Sequence, residues 1–140
     1  MVPLSSSLNI KGTVHKGFYL SHKALRDFIR KSLEERLQKH PAKSVFIAGH
    51  SLGGAIGHLT LSSLLSSQNF AYKSNLKAVY TYGTPRLGDR DFGLDYMQKA
   101  REYGVGVYSL MNESDIVPHV PCADYYHAAA MIYLSTVKHS

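Results

Sequence analysis

The sequence predicts an α/β fold, a mainly parallel sheet with flanking helices, and two observations carry that prediction. Short apolar, β-rich runs at 44–48, 76–82 and 105–110 alternate with segments of helical period at 21–39, 55–66 and 89–101. Each connection is long enough to carry a helix back across the sheet in the right-handed sense that parallel strands require. No internal repeat, low-complexity tract or linker interrupts the 140 residues, so residues 1–140 are expected to form one domain, with 1–12 poorly ordered.

Composition narrows the class. With 44% hydrophobic and 19% charged residues, the chain can bury roughly two-thirds of its unfolded surface, which excludes disordered and fibrous classes. No run approaches the ~18 apolar residues of a membrane-spanning helix, and residues 1–12 lack the basic start and apolar stretch of a secretory signal. The single cysteine, Cys122, cannot close an internal disulfide and is compatible with any compartment. The net charge of +6 is local: residues 1–43 hold nine Lys/Arg against three Asp/Glu, while the remainder is balanced.

Taken in order, Ser21 is the expected cap of a helix over 21–39 that Pro41 ends. Its apolar residues Leu25, Phe28, Ile29, Leu33 and Leu37 repeat at helical spacing, which predicts an outer face carrying Lys23, Arg26, Arg30 and Lys31. That face is either simply solvated or attracted to an anionic membrane or lipid interface. Residues 44–48 read as a strand buried on both faces. Ala55, Ile56, Leu59, Leu61, Leu64 and Leu65 then give a strongly apolar, largely buried helix. Residues 76–82 form a second strand broken by Gly83 and Pro85, residues 89–101 a second amphipathic helix, and residues 105–110 a third strand. Ligands of such sheets gather beyond the carboxyl ends of the strands.

The first strand runs directly into Gly49-His50-Ser51-Leu52-Gly53, a G-x-S-x-G pattern. Such a pattern is expected by chance about 0.05 times in a chain this long, and here it stands between a strand and an apolar helix. That context is the one in which a serine rides a sharp turn with its hydroxyl lifted above the sheet. Tight turning explains the glycines, whose positions are expected to have no room for a side chain. A serine hydroxyl needs a histidine base oriented by a carboxylate, in the chain order Ser, acid, His. Asp115, after the third strand, is the best-placed acid, with the alternative that it only turns a loop before Pro118. Glu113 is the fallback, while Asp89, Asp91 and Asp95 read as surface charges. Among the histidines, His15, His22 and His40 read as surface residues, and His58 lies within the apolar helix. His50 neighbours the serine but is expected to point elsewhere. His127, in an aromatic setting, and His139, near the chain end, are weak candidates for the base. No histidine pair has metal-ligand spacing, so no metal or other cofactor is expected. No nucleic-acid partner is expected either, because the basic excess lacks an aromatic stacking platform.

Four ordered segments together resemble the fungal-type class 3 lipases: Val14-His15-Lys16-Gly17-Phe18, the elbow Gly49 to Gly54 with Ala55, Tyr82-Gly83-Thr84-Pro85-Arg86-Leu87-Gly88, and Asn112-Glu113-Ser114-Asp115-Ile116-Val117-Pro118-His119-Val120-Pro121. The resemblance implies an α/β-hydrolase-like domain, Ser51 as nucleophile, Asp115 as triad acid, the Leu52 backbone N–H as an oxyanion donor, and lipid or other carboxyl-ester substrates.

Three features depart from the family pattern. The family's upstream strand, which supplies part of the oxyanion hole, and its lid helix have no counterpart before Val14. Lys11-Gly12-Thr13 is superficially similar to that hole but abuts Val14, leaving no room for a lid. The family's catalytic histidine lies well beyond the acid, whereas His127 matches a noncatalytic position. The sequence is therefore expected to be the central portion of a lipase domain, incomplete at both ends. Two functions follow as expectations: a lipid ester hydrolase working through an acyl-enzyme on Ser51, or a noncatalytic lipase-fold module that binds lipid or a partner.

Overall fold

The computed structural model describes residues 1–3 and 9–134. Two strands, β1 (Val2–Pro3) and β2 (Thr13–Val14), pair antiparallel ahead of α1 (Lys16–Lys39). There follow β3 (Val45–His50), α2 (Leu52–Ser66), β4 (Leu76–Tyr82), α3 (Arg90–Glu102), β5 (Gly106–Asn112) and β6 (Met131–Leu134). The main sheet has the order β3-β4-β5-β6, with every pair parallel. The predicted class holds, and all three predicted strands and helices are present. The expected poor order of residues 1–12 falls partly on 4–8, which lie outside the described residues; Ile10 is buried.

The apolar helix α2 is the hub. Eleven of its residues are buried, and it packs on β3 and β4 while α1 and α3 pack against it. Such burial follows from an apolar sequence all round the helix. At its centre His58 bonds in two directions: Nδ1 meets the Tyr96 hydroxyl at 3.0 Å, and Nε2 meets Thr81 Oγ1 at 3.0 Å and Ser109 Oγ at 3.2 Å. One imidazole thereby joins α2, α3, β4 and β5. Burial holds its pKa down to about 4, so it is neutral at physiological pH.

Several expectations are corrected. The first helix begins at Lys16 rather than at 21, because His15 caps it: its Nδ1 accepts the Gly17 N–H at 3.2 Å. The helix is also rotated from the predicted phase. His22 and Leu37 are buried and Arg26 and Ile29 half-buried, whereas Leu25 and Phe28 face solvent at 44% and 74% exposure. Neither His22 nor Arg26 is thus an exposed residue; of the four basic residues predicted to face outward, Lys23 and Lys31 do so, alongside the exposed acids Asp27 and Glu35, while Arg30 is half-buried and paired with Glu34.

The strand predicted to be buried on both faces instead alternates in exposure, and among the described residues it stands at the edge of the sheet. Its inner residues Ile47 and Gly49 meet α2, while Phe46 on the other face is 60% exposed. Across that outer face Tyr80 and Tyr108 stack with ring centroids 5.0 Å apart. No helix among the described residues covers it.

Asp89 and Asp95 are structural rather than surface charges. Asp89 Oδ1 accepts the Phe92 N–H at 2.8 Å and caps α3, while Oδ2 accepts both the N–H and the hydroxyl of Thr13 at 2.8 and 2.6 Å. Asp95 pairs with Lys99 at 2.6 Å, both side chains largely buried. Strand β6 was not predicted; residues 113–130 reach it from β5 with a single 3₁₀ turn, Val117–His119, in place of a crossover helix.

Candidate active site

Ser51 is the single residue between β3 and α2. Its backbone has φ 53 and ψ −123, in the left-handed half of conformational space that a serine rarely adopts. Its N–H donates to the Tyr82 carbonyl at 2.9 Å, which ties the turn to the end of β4, and its own carbonyl accepts from Gly54 at 2.9 Å. A Cβ on Gly49 would overlap the Gly53 carbonyl, so the tight return of the chain requires glycine there. Gly54 is likewise closed off by the Thr84 hydroxyl. Gly53 differs from expectation: a Cβ on it would meet nothing within 4 Å, because its α-hydrogen faces open space rather than strand or helix.

The residue after the serine opens α2. Neither Leu52 N–H nor Gly53 N–H has a backbone acceptor among the described residues, as the first turn of a helix dictates. The helix dipole adds partial positive charge at the same place.

Asp115 follows β5, and Tyr82-Gly83 at the end of β4 lies between its strand and that of Ser51. Its two carboxylate oxygens have different surroundings. Oδ1 accepts the Val117 N–H at 3.0 Å in the loop-turning role anticipated as the alternative. Oδ2 points to Gly83, standing 2.5 Å from where a Cβ on that glycine would be, and His50 Nε2 stands 3.7 Å from the same point. Gly83 has φ +55, so both its conformation and its lack of a side chain shape this corner. Sequence reading assigned it no part in the site, although a glycine ending a strand ahead of Thr-Pro is the expected mark of a left-handed turn. The fallback acid Glu113 is exposed.

No histidine among the described residues is hydrogen-bonded to Ser51 or to Asp115. His127 is half-buried, its pKa lowered first by desolvation and then by Arg86, with the Pro118 backbone carbonyl favouring the protonated ring. That is the setting of a packing histidine. His139 lies outside the described residues. Thr13, in the segment superficially like an oxyanion hole, spends its N–H and hydroxyl on Asp89. Among the described residues no group of three His, Cys, Asp or Glu could hold a metal ion.

The family model described as lipase (class 3) matches residues 1–125. A lipase of Rhizomucor miehei is 35% identical over 117 residues, covering 83% of this chain and 31% of its own. The native Rhizomucor miehei lipase propeptide complex superposes with a TM-score of 0.75 at 33% identity, over 94% of this chain and 42% of that one. A triacylglycerol lipase described as having a serine protease triad as its catalytic centre superposes with a TM-score of 0.80 at 31% identity, over 94% of this chain and 49% of that one. The chain spans about a third of the length of the curated fungal lipase, 31% of it.

Proposed function

The chain belongs to the class 3 lipase family, and from that premise we propose that it is a serine carboxyl-ester hydrolase acting on lipids. The observation that carries this reading is the backbone of Ser51. A non-glycine residue at φ 53 costs on the order of 1–3 kcal/mol, and here the strain lifts a hydroxyl out of the strand-to-helix turn beside unbonded helix N–H groups.

In this mechanism Ser51 Oγ attacks the ester carbonyl carbon as its proton passes to a histidine base. The Leu52 N–H stabilises the oxyanion. The bond to the alcohol breaks, the alcohol leaves with the proton, and water then hydrolyses the acyl-enzyme by the same steps in reverse order. Asp115 orients the base through Oδ2, since Oδ1 is engaged by Val117. None of the described histidines is assigned as that base.

Lipid as the substrate class is supported by the apolar residues around the rim. Leu52, Tyr82 and Ile116 are 46%, 44% and 74% exposed, next to Ser51, at the end of β4 and next to Asp115 respectively. The outer face of α1 supports docking to an anionic lipid interface, because exposed Leu25 and Phe28 stand among Lys23 and Lys31.

A second reading, a noncatalytic lipase-fold module that binds lipid, is favoured by one observation: no described histidine is bonded to Ser51 or Asp115. Hydrolysis of a short-chain chromogenic ester by wild type and Ser51→Ala separates the two. Hydrolase function predicts turnover by wild type that is lost in Ser51→Ala, down to the residual that the oxyanion donors and binding alone supply. Vesicle binding with equal ester turnover in both proteins supports the module instead.

A further inference from the structure

At the far end of α2 from Ser51, about 20 Å along the helix, a cleft of about 560 Å³ lies between α1 and α2. Its volume is within the ~300–1,000 Å³ typical of ligand pockets, yet its walls are polar. His22, Arg26, Thr60 and Ser66 line this region, and His22 Nε2, Arg26 Nη1, Thr60 Oγ1 and Ser66 Oγ are each buried with no hydrogen-bond partner among the described residues. His22, Thr60 and Ser66 are 1%, 5% and 6% exposed. Buried polar groups are nearly always partnered, so four orphans around one cleft mark a place where an outside molecule supplies the partners.

The donor set defines that molecule. The guanidinium of Arg26 has Nε on Asp27 at 3.4 Å, and Nη1 has no acceptor among the described residues. Asp27 is the one carboxylate among the described lining residues, and its side chain is 89% exposed. Burial and the neighbouring Arg26 hold the pKa of His22 down to about 4, so its ring is uncharged and Nε2 makes one hydrogen bond. One free guanidinium nitrogen with hydroxyls around it suits an oxyanion, and the remaining volume suits the hydroxyl-bearing group attached to it. We infer that this cleft binds a phosphate ester of a small polyol, at a site distinct from the serine rim. The C-terminal carbonyls of α2 lie at this end and disfavour an anion; a direct charge-assisted bond from Arg26 outweighs that diffuse effect.

The same chemistry is presented by free glycerol 3-phosphate and by a phosphatidic acid headgroup, and the test has an arm for each. Ring signals of His22 are followed by NMR as the full chain is titrated with glycerol 3-phosphate, then with phosphatidylcholine vesicles containing phosphatidic acid. Saturable perturbation is expected with at least one probe, with glycerol 3-phosphate alone sufficing for a soluble ligand and vesicles alone indicating a headgroup. Arg26→Gln is expected to weaken it by about tenfold and Thr60→Val by about threefold, whereas Lys39→Gln, exposed in the last turn of the same helix, leaves it unchanged. Thr60→Val preserves shape and decides the matter should Arg26→Gln fail to fold. No perturbation by either probe, or equal loss in the Arg26 and Lys39 variants, overturns the inference.

Discussion

Asp115 occupies space that a side chain on Gly83 would claim: a Cβ there would stand 2.5 Å from Oδ2, closer than real Cβ atoms approach. The glycine also holds φ +55, so it serves the corner twice. Gly83→Ala is expected to cost about 1–3 kcal/mol of stability and to lower Ser51-dependent ester hydrolysis by about tenfold or more as the carboxylate is displaced. Paired urea unfolding and ester assays check this; an alanine variant with wild-type activity would show that Oδ2 has no part in the chemistry.

The two outer glycines of the elbow should behave oppositely. Gly49→Ala places a methyl group against the Gly53 carbonyl and is expected to destabilise by about 1–3 kcal/mol. Gly53→Ala meets open space and should change stability by less than about 0.5 kcal/mol. Thermal unfolding of both variants checks the contrast, and equal effects would contradict the turn geometry.

Acid should weaken the fold through its buried histidines. His58 is held at about 4 against 6.5 in the unfolded chain, so between those values the unfolded state binds more protons. Stability is therefore full above about pH 6.5 and falls as pH drops toward 4, by about 3 kcal/mol from His58 alone; His22, also about 4, adds in the same direction. Urea midpoints at pH 7 and pH 5 should differ, and less so in His58→Gln. A midpoint independent of pH across that interval would show that the imidazole network is not closed to protons.

Asp89 ties the β2 segment to the start of α3 through three hydrogen bonds. Asp89→Ala is expected to cost about 1–2 kcal/mol, with Asp89→Asn recovering part of it through its remaining carbonyl oxygen. Unfolding by urea measures both, and an alanine variant as stable as wild type would remove Asp89 from the account.

What could be read from residues alone follows a physical division. The elbow was legible because G-x-S-x-G sits where a β-rich run meets an apolar helix, a conjunction few other structures satisfy. Asp115 was legible by position, but not the division of labour between its oxygens, since a carboxylate that turns a loop and one that serves a site look alike in sequence. The phase of α1 was misread because it carries two apolar stripes. One, through Phe18, Leu33 and Leu37, packs inward; the other, through Leu25 and Phe28, faces solvent. Apolar spacing cannot choose between them. Phe46 was misread for a related reason: an apolar strand does not reveal whether its second face is covered. Strand β6 was missed because its four residues owe their conformation to pairing with β5, not to any alternation of their own.

The central claim is that Ser51 is a nucleophile, and peptide mass mapping after fluorophosphonate treatment of the full chain tests it most directly. The account predicts an adduct on the peptide containing Ser51 that is absent from Ser51→Ala. An adduct on another serine, equal labelling of both proteins, or no adduct at all would contradict it.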